Sequence, residues 1–433
     1  MPDAVDTRSP TMPFSPASAI SVEEVGRRLT AFERTRDPAE LWPGLSEADR
    51  VAAAREIERV TTEVLAGTRG VQLDPLAQHS AYALGVAGNT TGMGALIGRW
   101  IETRVVFAGD EVAEVFAEHL ISGRSRAARL EREVLPAIDN LIARGITPTM
   151  LKGFHTARAY FDEPGMRPMS DVDILVGPHE VGAAEGALAD AGFCPITPAL
   201  RPYKRDWLGP GVDERIFSVE RYDARTKWTL ELHASLDRLY HPGATAHLDA
   251  ERSLIPFEVG GRPVRALSPA VLVVYLACHC SQELDTIRLV RIFELVNVIR
   301  IERAAGRLDW GEVIALMRRT RSSEFTYPAF KLAEDLAPGT IDPVTLGAAQ
   351  AASTPAARHT VGRLAPSGGS CDERAVLRQL MWTRGALGVL QRLLRTVWPA
   401  GFDKPRDVIP GWRVRLRRLR KGMMSFWPRD ERA

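Results

Sequence analysis

The sequence predicts an α+β protein: a small mixed sheet flanked by N-terminal and C-terminal helical regions. Three observations carry this. Helix-type and strand-type segments alternate between about residues 125 and 240, the pattern of a compact α/β core. Apolar residues recur at helical spacing both before and after that stretch. Hydrophobic residues at 45% and charged residues at 25% are ordinary for a folded chain, and no run of about eighteen apolar residues marks a membrane span.

The expected division is a disordered tail over 1–18, an N-terminal helical region over 19–124, an α/β core over 125–262, a C-terminal helical region over 263–410 and a basic tail over 411–433. Residues 1–18 are rich in Pro, Ser and Thr, which disfavours a packed core. "SVEEVGRRLTAFERT" opens with Ser21 and has Glu24 three residues on, a capping-box signature. "SEADRVAAAREIERVTTEVL" repeats it from Ser46 with Asp49, and "GDEVAEVFAEHLI" continues the helical pattern.

The core opens on "SRAARLEREVLPAIDNLIARGI", where Leu130, Val134, Leu135, Ile138, Leu141 and Ile142 share a helical face and Gly145 stands at the C-cap. "TPTML" favours an extended segment, so a strand ending in Lys152-Gly153 is expected. "FHTARAYF" then reads as a short helix, "DEPGMRPMS" as a loop and "DVDILV" as a strand. "HEVGAAEGALADAGF" reads as a helix closing at Gly192, followed by the strands "ERIFSV" and "KWTLELHASL". Helix resumes at Ser268-Pro269, a good cap and first-turn pair, and continues through "DTIRLVRIFELVNVIRIERA".

A net charge of +2 means that any surface for nucleic acid or membrane must be local. Six of the 56 basic residues are lysine, leaving 50 arginines, so a lysine beside Gly153 is notable. Four cysteines make no disulfide framework, and the N-terminus lacks a basic stretch followed by an apolar one; a reduced, cytoplasmic protein is expected. Cys278-His279-Cys280 lacks zinc spacing, because adjacent helical residues splay apart.

Asp171 and Asp173 point to one face of their strand, anchored by Val172, Ile174, Leu175 and Val176. Like charges that close repel unless a cation neutralises them, and magnesium, with its preference for carboxylate and phosphate oxygens, suits. An isolated pair of this kind equally fits a loop end bonded to backbone or to Arg167. In "KWTLELHASL", Thr229, Glu231 and His233 alternate onto one face, and glutamate is disfavoured in mid-strand. If that strand lies beside the aspartates, three carboxylates converge; if it is an edge strand, Glu231 meets solvent.

"LKG", "RPMSDVDILV" and "LELH" resemble a bacterial family of uncharacterised nucleotidyltransferases within the polymerase-β-like nucleotidyltransferase superfamily, and "LKG" with "RPMSDVD" is also similar to toxins of the abortive-infection type. The resemblance covers about 125–240 and reaches the helices of "YLACHCSQELDTIRLVRIFELVNVIR". It implies a sheet of the nucleotidyltransferase type and transfer of a nucleoside monophosphate from an NTP to an acceptor, with release of pyrophosphate. It further implies that Asp171, Asp173 and Glu231 hold Mg2+ or Mn2+ and carry catalysis, that Lys152, Gly153, Arg167 and Ser170 bind nucleotide, and that His233 contacts acceptor or phosphate. ATP is one such NTP. Phe154 departs from the serine or glycine common after that glycine. A small molecule or peptide is the favoured acceptor; RNA would suit the basic tail. The rivals are a non-catalytic nucleotide- or partner-binding protein of the same fold and a glycosyltransferase using an Asp-x-Asp motif, which would want a nucleotide-binding α/β half ahead of the aspartates.

Overall fold

The computed structural model describes residues 20–367, apart from 36, 74–79, 197–203, 215, 221–222, 242–243, 249–252 and 285–287, together with 381–382. Both expected tails, 1–18 and 411–433, lie outside the described residues.

The N-terminal part is helical: α1 (Val22–Thr35), α2 (Glu47–Leu65), α3 (Ala81–Thr91) and α4 (Gly94–Glu102), with the two-residue strands β1 (Val71–Gln72) and β2 (Val106–Phe107) paired between them. Ser46 and Asp49 form a reciprocal capping box at the start of α2, which satisfies two otherwise orphaned N–H groups. The two helical segments expected around residues 110 and 130 are one 34-residue helix, α5 (Asp110–Ala143), so the expected boundary at 124/125 falls inside it. The chain leaves α5 through Gly145, at φ +74°.

The core elements follow as β3 (Thr149–Met150), α6 (Lys152–Ala159), β4 (Asp171–Leu175), α7 (Val181–Asp190), β5 (Cys194–Pro195), β6 (Lys204–Leu208), β7 (Thr229–His233), a small ribbon of β8 (Arg238–His241) and β9 (Ala244–Ala246), β10 (Leu254–Val259) and β11 (Arg262–Leu267). Among the described residues seven strands make one mixed sheet, ordered β10-β11-β3-β4-β7-β6-β5. The β10–β11 hairpin turns on Gly260 and Gly261, both at positive φ, as a two-residue hairpin loop requires. Its second strand pairs with β3, so the sheet runs to Leu267, past the expected boundary at 262.

Three expectations need correction. Lys152 and Gly153 do not end a strand; they form the first turn of α6. "ERIFSV" is not a strand among its described residues. The Val219 carbonyl instead accepts from Trp42 Nε1 at 3.0 Å and Asn89 Nδ2 at 2.9 Å, so helical-region side chains satisfy backbone that a sheet would otherwise pair. The strand beside β7 is β6, in "KRDWL". Ser268 precedes the next helix, but its hydroxyl makes no cap bond.

One face of the sheet packs Val172, Ile174, Trp207, Leu230 and Leu232 against α5 and α7. The C-terminal helices α8 (Pro269–Gln282), α9 (Leu289–Ala304), α10 (Trp310–Arg319), α11 (Ser323–Leu336), α12 (Pro343–Ala352) and α13 (Pro355–Val361) share a second core with α2–α4. No described helix is long and apolar enough to cross a membrane.

Candidate active site

β4 and β7 run parallel, in the register Asp171↔Thr229, Asp173↔Glu231, Leu175↔His233. Strand alternation sends Val172, Ile174, Leu230 and Leu232 into the apolar core and leaves Asp171, Asp173, Glu231 and His233 on the opposite face. β6 lies antiparallel on the far side of β7, pairing Asp206 with Glu231 and Lys204 with His233. β7 is therefore an interior strand, and Glu231 does not stand on an edge. A row Asp173–Glu231–Asp206 crosses three strands at spacings of about 4.8 Å.

Two lysines and a histidine are set among these carboxylates. Lys152 Nζ lies 3.0 Å from Asp173 Oδ1 and 3.5 Å from Asp171 Oδ2, so the first turn of α6 aims this side chain into the cluster. His233 Nε2 lies 2.9 Å from the same Asp173 oxygen and 3.4 Å from Glu231 Oε2. Lys204 Nζ pairs with Glu231 Oε1 and lies 3.2 Å from Asp206 Oδ1. The Asp173 side chain is 1% exposed and that of Asp171 27%, so the cluster opens to solvent on the Asp171 side.

Burial pushes the Asp173 carboxyl above its ordinary range; Asp171 and Glu231 push the same way, while Lys152 and the His233 hydrogen bond oppose them. Burial works upward on Glu231 too. There the His233 hydrogen bond, Lys152 and Lys204 outweigh it and hold the carboxyl well below the usual range. Desolvation alone would lower Lys152, but Asp171, Asp173 and Glu231 raise it above the ordinary lysine value, so it stays an ammonium.

Other residues near the cluster have other partners. Arg167 is buried and forks onto Glu294 of α9, with its Nη2 2.8 Å from Oε2 and Nε 3.3 Å from Oε1, while Thr156 of α6 donates to the same carboxylate. Its guanidinium covers Gly153, where an added Cβ would come within 3.1 Å of it. Ser170 is exposed at the start of β4, and its carbonyl accepts the Thr229 N–H at 3.3 Å. His155 turns away from the cluster, edge-on to the rings of Tyr160 and Phe257. Cys278 and Cys280 are buried in α8, and the Cys280 thiol, pushed up to about 12 by burial, faces the Arg291 carbonyl.

Sequence reasoning missed Lys204 and Asp206. "KRDWL" has only Trp207 and Leu208 as apolar positions, too few for alternation to announce a strand. It also missed Arg126 of α5, a buried side chain that donates to the carbonyls of Met169, Thr226, Ala224 and Lys227 and so ties together the starts of β4 and β7.

Among the described residues, Asp173, Glu231 and His233 offer ligand atoms that lie within 4.8 Å of one another. This set has His233 where the expected one had Asp171. Four carboxylates (Asp171, Asp173, Glu231, Asp206) face two ammonium groups (Lys152, Lys204), which leaves two negative charges. The donor set thus fits a divalent cation: its carboxylate oxygens suit magnesium or manganese.

The model of a family described as uncharacterised nucleotidyltransferases matches residues 98–338, more than half of the chain. The chain belongs to this family. The match takes in α5, the whole sheet and α8–α11, and so includes every residue of the carboxylate face. The N-terminal helices α1–α3 lie outside it. A solved structure of the antibiotic-resistance factor ANT(2'')-Ia is 14% identical over 45% of this chain and 92% of its own, with a TM-score of 0.31. No curated protein matches the chain.

Proposed function

We propose that the protein is a metal-dependent nucleotidyltransferase that moves a nucleoside monophosphate from an NTP to an acceptor. The observation that carries this is the register of β4 with β7, which brings the carboxylates of Asp171, Asp173 and Glu231 onto one face. In this proposal those three residues, with His233 as an added donor, hold Mg2+ or Mn2+. When bound, the metal neutralises phosphate charge and polarises the reacting phosphoryl group.

The acceptor oxygen forms a bond to the α-phosphorus, the bond from that phosphorus to the bridging oxygen breaks, and pyrophosphate leaves. Glu231, held ionised by His233, Lys152 and Lys204, is a weak proton acceptor and is suited to orienting the attacking hydroxyl, whose proton passes to solvent. Lys152 and Ser170 lie on the triphosphate side, and the first turn of α6 at Gly153 brings backbone to it. Arg167, joined to Glu294, steadies that turn. The proposed acceptor is a small molecule or peptide in the cytoplasm, with RNA as the other class.

The test is transfer of label from each α-phosphate-labelled NTP, with Mg2+ or Mn2+, into a small-molecule and RNA extract of the host. A labelled species made by wild type and lost by at least about 100-fold in Asp171→Asn/Asp173→Asn supports transfer, the scale expected when preorganised charges are removed. Metal-dependent nucleotide binding without any transfer would replace the enzyme with a nucleotide-binding protein of this fold.

A further inference from the structure

Both ammonium groups among the carboxylates belong to lysines, in a chain with six lysines and 50 arginines. Two other buried cations among the described residues are arginines: Arg167 forks onto Glu294, and Arg126 donates to four carbonyls. A guanidinium is a rigid planar fork, whereas lysine places one point charge on a flexible four-carbon stem and can withdraw it. Lys152 sits at the opening of α6, so its stem can swing without moving the helix axis. Its Nζ bridges Asp173 and Asp171, at 3.0 and 3.5 Å, both of them ligands in the proposed metal site, and Asp171 on the solvent side leaves a way out.

Resting on the nucleotidyltransferase reading, we propose that Lys152 is a stand-in cation. Its ammonium neutralises Asp171 and Asp173 while no divalent cation is bound, and moves to the triphosphate of the incoming nucleotide when one is. Metal without nucleotide must displace an ammonium that has nowhere better to go, and nucleotide without metal finds that ammonium occupied. The two therefore load together, and by linkage each strengthens the other's binding by the same factor.

The test is Mn2+ retained with the protein in equilibrium dialysis, where free Mn2+ and the free Mn2+–nucleotide complex equalise across the membrane, with and without the α,β-methylene analogues of ATP, GTP, CTP and UTP. Wild type, Lys152→Met and Lys152→Gln are compared, with a thermal melt to establish that each is folded. Wild type is expected to bind Mn2+ weakly alone and at least about 10-fold more tightly with the preferred nucleotide. Each variant is expected to bind Mn2+ alone about 10-fold more tightly than wild type and to lose most of the nucleotide enhancement. Variants that bind Mn2+ alone no better than wild type, or that keep the full enhancement, would overturn the proposal. Failure of every protein to bind Mn2+ even with nucleotide would instead remove the metal-site reading beneath it.

Discussion

Phe154 and His155 directly follow Gly153, yet neither reaches the carboxylate face. Phe154 is buried in the core under the sheet, with the Arg158 guanidinium 3.6 Å from its ring centroid, so this position serves packing. His155 is buried among rings, and its Nδ1 finds no hydrogen-bond partner among the described residues. Desolvation pushes its pKa down from 6.5 to about 4, against upward pulls from Glu294 and Glu302. Between those values the unfolded chain binds a proton that the folded chain refuses, so stability falls as pH drops through the window. A depression of this size corresponds to about 3 kcal/mol once fully developed. His155→Phe is expected to flatten the dependence of urea-derived stability on pH between 6.5 and 4; an unchanged slope would show that His155 does not cause it.

At the scale of elements, α5 does most to position the site. Gly98 lets α4 rest on it, since a Cβ there would fall 2.3 Å from the Phe116 carbonyl. Arg126, Arg129 and Glu133 form a stripe along α5 that grips the chain returning into β7: Arg129 donates to the Arg225 carbonyl at 3.0 Å, and Trp228 Nε1 donates to Glu133 at 2.7 Å. With Arg126 on the carbonyls at the starts of β4 and β7, this stripe holds the register on which the Asp173–Glu231 pair depends. Arg126→Met leaves the buried Met169 carbonyl and three part-buried carbonyls without this donor and should cost about 3 kcal/mol in chemical denaturation. A loss below about 1 kcal/mol would mean that water replaces the guanidinium. The alternation placing Asp171 with Asp173, and Glu231 with His233, was legible because it depends only on neighbours in sequence. The stripe was not, because Arg126 finds its partners across long stretches of chain.

For the whole molecule, the larger core decides what can fold alone. It contains Ile57, Leu84 and Leu96 from the N-terminal helices beside Leu276, Val296 and Phe330 from the C-terminal ones, so the two helical regions flanking the sheet are one packed body. Arg28 and Tyr82 also reach Glu220 in the segment between β6 and β7, tying α1 and α3 to the strands that carry the site. A fragment of residues 98–338, the extent of the family match, would expose that core. It is expected to show no cooperative thermal unfolding, whereas the full chain shows a sharp transition; a sharp transition in the fragment would make the N-terminal helices an accessory.

Sequence alone determined the helix-and-sheet character, the capping box at Ser46, the helix stop at Gly145 and the shared faces of the two acidic strands. Each rests on spacing within a few residues, where backbone geometry is periodic and a side chain's direction follows from its position. Tertiary structure decided that β4 lies against β7, that β6 adds Lys204 and Asp206, that Lys152 turns inward and that Arg167 is taken up by Glu294. Those outcomes depend on which distant segments bury each other's apolar faces, and so on a register that no local pattern specifies.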